Sequence, residues 1–355
     1  MRAARFHEPG KPLVIEEVPD PELQQGSAVV RVLAAFVPPY FAEMIDGRVS
    51  YPLPPLPFTP GMDTIGEVIE VADDVSGLEV GQRVFCDHYY NTVNIGGRAE
   101  SCYVGVFGKG ERSQKILARW RDGSFAEKMI LPAECFTPLG GASAVDPTKL
   151  VRIGWFGTCY GAMVRSNFRP GHTVLVNAAT GLVGAAGVLL ALAMGAGRIV
   201  ALGRKEPVLD ELCALDPRRV SALRIAGTAD DAPAILDAVD GAADIMLDCV
   251  GDIPDPISTQ NALAALGPYG CALFVGGCFG DLAVNYKWLL DKQITMLGSS
   301  WYPRQGTAEL AGMIATGALD AEALRARIFS LEEANEAVHW AENGPGGLEH
   351  AALVP

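Results

Sequence analysis

The chain lacks the features that mark several protein classes. Its eight cysteines (Cys86, Cys102, Cys135, Cys159, Cys213, Cys249, Cys271 and Cys278) are scattered, and no two form a C-x-x-C pair. That pattern excludes a disulfide framework and a clustered zinc site, and fits reduced thiols in a cytoplasmic protein. No run reaches the ~18 uninterrupted apolar residues of a membrane span; the longest candidate, Gly181 to Met194, is too short. Basic residues form no cluster and the formal net charge is -14, which argues against nucleic acid and anionic membrane as partners. The first eighteen residues, MRAARFHEPGKPLVIEEV, have no apolar core of signal-peptide length and read as strand, turn and strand. His7, His172, His339 and His350 have no partner at metal-ligand spacing.

What is present suggests two domains in 355 residues. Residues 1 to about 150 read as short strands and turns: Pro12–Val18, Ser27–Ala34, Thr64–Val71, Gly81–Cys86 and Ser124–Leu131. Five prolines between Pro52 and Pro60 force an extended loop. A polar, Gly-rich insertion of about Asp87 to Trp120 reads as an unusually long loop. From about Leu150 helices and strands alternate, the signature of a doubly wound parallel sheet. The tail from Thr307 reads as two helices and a terminal strand.

The most informative stretch is His172 to Arg204. A buried strand, Thr173–Ala178, leads into the turn Ala179-Thr180-Gly181-Leu182-Val183-Gly184, a helix to about Gly195, and a second strand from Arg198 to Leu202. In that context Gly181 lets backbone approach a pyrophosphate and Gly184 lets the helix pack on the strand. The free N–H groups and positive dipole end of the helix favour the phosphates. The usual first glycine is Ala179 here. The second strand ends Gly203-Arg204-Lys205, with no carboxylate to hold a ribose 2′-OH. Small Gly203 leaves room, Arg204 can fork onto a phosphate and Lys205 adds a point charge, so the reading is NADPH/NADP+ rather than NAD. Cys249-Val250 and Val275-Gly276 close two further strands, where backbone is expected to touch the cofactor.

Several segments together resemble the medium-chain dehydrogenase/reductase superfamily, the alcohol dehydrogenase and quinone oxidoreductase group. Gly61-Met62-Asp63-Thr64-Ile65-Gly66-Glu67-Val68 stands at its G-H-E-x-x-G-x-V, Val80-Gly81-Gln82-Arg83-Val84 at its V-G-D-R-V, and Gly123-Ser124-Phe125-Ala126-Glu127 at its G-x-F-A-E. The resemblance implies a Rossmann doubly wound parallel sheet at 151–299 that binds NADP, plus a mostly-β GroES-like catalytic domain from 1–150 and 300–355. It also implies a homodimer formed by pairing the edge strands of two nucleotide domains. Thr158, in Gly157-Thr158-Cys159-Tyr160, and Ser299 are cofactor contacts by family position.

The departures from the family pattern narrow the chemistry. Pro38, Met62 and Gly154 occupy the catalytic-zinc ligand positions, and none is a zinc donor of ordinary quality. Asp63 survives beside Met62, with a structural role as its expected one. The insertion that replaces the structural-zinc lobe contains only Cys102, with Cys86 before it. The expectation is no zinc of either kind. Without metal, a positioned donor must polarise the substrate. The candidates are Tyr40 at the family's hydroxyl-relay position, Tyr51 before Pro52 in the Pro-rich loop, and His88 beside Tyr89 and Tyr90. The first reading is a zinc-independent, NADPH-dependent reductase of an activated C=C bond of enone, enoyl or quinone type. A zinc-free carbonyl or imine reductase using Tyr40 is the second, and a nucleotide-binding protein with little turnover the third. The aromatic residues Phe36, Tyr40, Phe41, Trp301 and Tyr302 point to a small, fairly hydrophobic substrate.

Overall fold

The computed structural model describes residues 1–91, 100–251 and 253–355, without the side chain of Glu111. The chain divides into two compact units: residues 1–154, 324–344 and 350–355 form the first, and 155–323 with 345–349 the second.

The first unit is built on an antiparallel sheet. Ser27–Val37 is its spine, because it is a near-continuous apolar run buried at every position except Arg31 and half-buried Leu33. It pairs with Met62–Val71, Lys128–Pro132 and Glu349–Val354. Arg83–Cys86 and Phe136–Pro138 extend one edge, and Arg325–Ser330 closes the other. The insertion departs from the expected structureless loop. Its described part holds the strands Tyr89–Asn91, Ser101–Tyr103 and Phe107–Gly108 and the helix Gln114–Arg119. Cys102, Tyr103, Val104, Val106, Leu117 and Trp120 are buried there, so this segment carries a small core beneath its polar residues. The remainder of the insertion, 92–99, lies outside the described residues.

The second unit is the expected doubly wound α/β fold. Six parallel strands run in the spatial order Val220–Arg224, Arg198–Gly203, Thr173–Asn177, Ala243–Asp248, Leu266–Phe274, Thr295–Gly298. The four inner strands are largely apolar and buried, apart from exposed positions such as Asp244 and Tyr269, as a sheet covered by helices requires. Order reverses beside Thr173–Asn177, so the ends of Thr173–Asn177 and Ala243–Asp248 bracket the switch point at which such sheets bind ligands. Val220–Arg224 is not apparent in the sequence. It is a half-exposed edge strand whose only strongly buried member is Val220, so it lacks the apolar run that marks its neighbours.

Residues 300–323, expected with the first domain, pack in the second unit. The helix Gln305–Ala315 docks there through Gly306, whose Cα faces the Tyr160 and Tyr302 rings, and Tyr160 Oη donates to Glu309 at 2.5 Å.

Candidate active site

In the second unit the turn after Thr173–Asn177 is held open by backbone. Ala178 adopts φ +57°, an unusual left-handed conformation for alanine. The Ala179 N–H donates to Leu202 O at 2.7 Å, and the Gly181 N–H to Ala178 O at 3.0 Å. The helix Leu182–Ala193 then begins. At Gly184 a β-carbon would run into the Ala178 carbonyl, whereas at Gly181 the nearest atom would be 3.4 Å away. Gly184 therefore sets the helix-to-strand packing, and exposed Gly181 leaves the helix N-terminus, with Leu182 and Val183 in its first turn, open to an anion. The geometry fits a pyrophosphate.

The neighbouring strand Arg198–Gly203 ends against this turn, where a Gly203 side chain would collide with Thr180. Arg204 is exposed and has no ion pair among the described residues. Lys205 reaches elsewhere: its ammonium donates to Pro345 O at 2.6 Å. Gly346 and Gly347, both left-handed, carry this segment across the turn, and the Gly347 N–H donates to Thr180 O at 3.1 Å. The sequence reading missed this strap, whose only signal was the Gly-Pro-Gly-Gly run at 344–347.

At the other side of the switch point, Asn177 Nδ2 donates to Asp248 Oδ1 at 2.7 Å and Thr259 Oγ1 to Asp248 Oδ2 at 3.0 Å. Burial raises the Asp248 carboxyl to about 6 against those hydrogen bonds, which favour its charged form. Cys249 and Val250 are buried, and the Cys249 N–H donates to Asn177 O at 3.2 Å. The Val275 and Gly276 N–H groups donate to Asp248 O, and a side chain at Gly276 would strike the Val250 carbonyl. Ser299 is buried, its N–H on Phe274 O and its hydroxyl 3.4 Å from Trp301 O. Thr158 is half-buried on the helix Ile153–Arg165, and the neighbouring Cys159 thiol donates to Val183 O at 3.4 Å.

In the first unit the three proposed donors differ in exposure, and Tyr40 and Tyr51 both face the Phe107 ring, Tyr40 with centroids 6.2 Å apart. Tyr51 is 52% exposed and stacks on Phe107 with centroids 4.7 Å apart. His88 is wholly buried, with Nδ1 2.9 Å from Val104 O and Nε2 3.3 Å from Thr64 Oγ1. Burial lowers its pKa to about 4, so the ring is neutral near pH 7. Tyr40 caps the short helix Phe41–Ile45 and donates its hydroxyl to Met62 Sδ at 2.7 Å. Burial first, with the neighbouring Asp63 and Tyr103 as lesser causes, pushes its phenol well above its ordinary value, so it keeps its proton.

Asp63 is not the well-anchored structural residue the sequence suggested. It is fully buried, its φ is +44°, and neither carboxylate oxygen has a hydrogen-bond partner among the described residues. Burial, reinforced by Asp87, raises its pKa well above the carboxylate range. It lies against Gly154, where a β-carbon would be 2.5 Å from Oδ2. Strand Met62–Val71 thus places buried Met62 and Asp63 between half-buried Tyr40 and buried Gly154.

The fold and these two clusters define a class, and comparison with known proteins names it. The family model described as alcohol dehydrogenase GroES-like domain matches residues 24–141, and that described as zinc-binding dehydrogenase matches 183–316. The chain belongs to the medium-chain dehydrogenase/reductase superfamily, a class of oxidoreductases. It is similar to quinone oxidoreductase-like protein 2 of Mus musculus, 30% identical over 89% of this chain and 80% of the mouse protein. A quinone oxidoreductase-like protein 2 homolog of Nematostella vectensis is 31% identical over 59% of this chain, and the match spans about half, 48%, of that relative's length. Among solved structures, 2R,3R-butanediol dehydrogenase from Bacillus subtilis superimposes with a TM-score of 0.82 at 18% identity, covering 100% of this chain and 99% of that one.

The zinc that the family implies does not fit the donors present. Pro38 and Gly154 offer no side-chain ligand, and the Met62 thioether already accepts from Tyr40. Among the described residues no three His, Cys, Asp or Glu side chains converge on a metal-sized site.

Proposed function

We propose that the protein is a zinc-independent, NADPH-dependent reductase that saturates an activated C=C bond of enone, enoyl or quinone type. The carrying observation is the Tyr40 phenol, kept protonated and seated on Met62 at the position where a metal-dependent relative would bring its ligands together. The open turn at Gly181 and the cationic strand end at Arg204 support NADP(H) as the cofactor, which supplies a hydride when bound. The protein's own contribution is to hold the cofactor's phosphates on the Leu182–Ala193 helix and to present a proton. Tyr40 Oη donates a hydrogen bond to the substrate's carbonyl oxygen and stabilises the negative charge that hydride addition places there. A conjugated system carries that charge from carbon to oxygen, so a neutral phenol suffices where direct carbonyl chemistry asks for a stronger electrophile.

The same phenol supports a second reading, direct reduction of a carbonyl or imine with Tyr40 as proton donor. Product identity separates the two. Chelator-treated protein, NADPH and a simple conjugated enone are expected to yield the saturated ketone. An allylic alcohol as product would sink the first reading. Tyr40→Phe is expected to lower kcat about 100-fold, in the range of a lost acid catalyst, with NADPH affinity unchanged. Thr158, Cys249, Val250, Val275, Gly276 and Ser299 complete the proposed cofactor site, the buried ones through backbone. The proposed setting is cytoplasmic: all eight cysteines are free thiols. No helix among the described residues is long and apolar enough to cross a membrane, and the substrate proposed is a small hydrophobic molecule. The assembly proposed is a homodimer joined through the edge strand Thr295–Gly298, whose unit also exposes Phe279, Tyr286, Leu290 and Met296.

A further inference from the structure

We infer that Arg224, on the neighbouring strand, forms with Arg204 the clamp that recognises the 2′-phosphate of NADP(H), and that Glu206 holds this guanidinium when no phosphate is present. The inference rests on the NADP(H) reading above and adds to it a residue that choice of cofactor depends on.

The geometry follows from the register of two parallel strands. Gly203, the last residue of Arg198–Gly203, is the direct partner of Arg224, the last residue of Val220–Arg224. The Ile225 N–H donates to Gly203 O at 2.9 Å, which extends the pairing one residue past the end of Val220–Arg224. Arg224 therefore stands about 4.8 Å from Gly203 across the ladder. Its side chain reaches into the Gly203–Glu206 loop, because Nη1 lies 3.7 Å from Glu206 Oε2. That loop is where a doubly wound fold distinguishes a ribose hydroxyl from a ribose phosphate. Arg224 and Glu206 are each 69% exposed. At 3.7 Å in solvent the pair is loose and screened, a counter-ion that a doubly charged phosphate can displace.

The two cations read from the sequence do not share this task equally. The Lys205 ammonium points to the Pro345 carbonyl, which makes it a latch for the strap that crosses Thr180. Arg204 remains exposed and without an ion pair among the described residues. Two guanidiniums from adjacent strand ends, each a planar fork of donors, suit a phosphate better than one fork and a tethered lysine. The small Gly203 between them keeps the approach clear.

The test measures dissociation constants of NADPH and NADH by titration of tryptophan fluorescence, with the fragments 2′,5′-ADP and 5′-AMP as probes of the phosphate alone. The wild-type protein is expected to prefer NADPH and 2′,5′-ADP. Arg224→Gln is expected to weaken NADPH and 2′,5′-ADP about tenfold or more, the value of a lost charge-assisted hydrogen bond, and to leave NADH and 5′-AMP within about twofold. Arg224→Lys, which keeps the charge and loses the fork, is expected to fall between. Glu206→Gln is expected to tighten NADPH modestly. Arg224 lies on an exposed edge, so thermal melts are expected to stay close to wild type. Arg224→Gln variants that bind NADPH as wild type does, or lose NADPH and NADH equally, overturn the inference while the wild-type preference for NADPH stands. A wild-type protein that binds the two cofactors alike overturns the NADP reading and the clamp with it.

Discussion

Asp63 is the residue whose physical state has the widest consequences. A buried carboxyl without hydrogen-bond partners is stable only as the neutral acid. In the unfolded chain the same group titrates near about 3.9. Its folded pKa is raised, so between the two values the native state holds a proton that the unfolded state has released. Stability from this group is fully present below the unfolded pKa and is lost as pH rises toward the folded one. Asp63→Asn removes the ionisation, and asparagine tolerates the left-handed backbone that Asp63 adopts. We expect Asp63→Asn to melt higher than wild type at pH 8, and the difference to shrink as pH is lowered toward 4. A variant that melts lower at pH 8 would show that Asp63 is ionised and paired in the native protein.

At the scale of elements, the turn at 178–184 depends on close approach more than on flexibility. Gly184 lies one turn into the Leu182–Ala193 helix, where its missing β-carbon lets the helix settle on the Ala178 carbonyl. Gly184→Ala forces that helix away from the strand end and moves the N-terminal N–H groups out of place. Overpacking of this kind costs about 1–3 kcal/mol. The expected result is a lower Tm together with weaker NADPH binding by titration. Normal cofactor affinity in Gly184→Ala would mean that the turn does not bind phosphate. The strap at Pro345–Glu349 acts on the same element from a distant part of the chain, which is why local pattern did not reveal it.

At the scale of the whole molecule, the second unit ends in an edge strand with little to cover it. Thr295–Gly298 has no fully buried residue, and Met296 is 37% exposed. An uncovered edge with apolar neighbours is a pairing surface. Sedimentation velocity is expected to give the mass of two chains, and Met296→Lys, which places a charge on that edge, to shift the protein toward one chain with unchanged circular dichroism. A wild-type protein of one-chain mass at micromolar concentration would remove the dimer from the proposal.

Much of this protein was legible in its sequence because the signals were local. Buried parallel strands read as apolar runs, Gly181 and Gly184 marked the turn into the Leu182–Ala193 helix, and Pro38, Met62 and Gly154 announced positions without metal donors. Periodicity and backbone geometry act over a few residues, so they survive in one dimension. Contacts between distant residues do not. That Tyr40 and Tyr51 meet at the Phe107 ring was decided by how the insertion folds back on the sheet. That Asp63 has no hydrogen-bond partner among the described residues depended on which side chains happened to surround it. The neighbour of Gly203 was fixed by the register of a polar edge strand whose sequence lacks an apolar signature, and that register alone brought Arg224 opposite Gly203, one residue before Arg204.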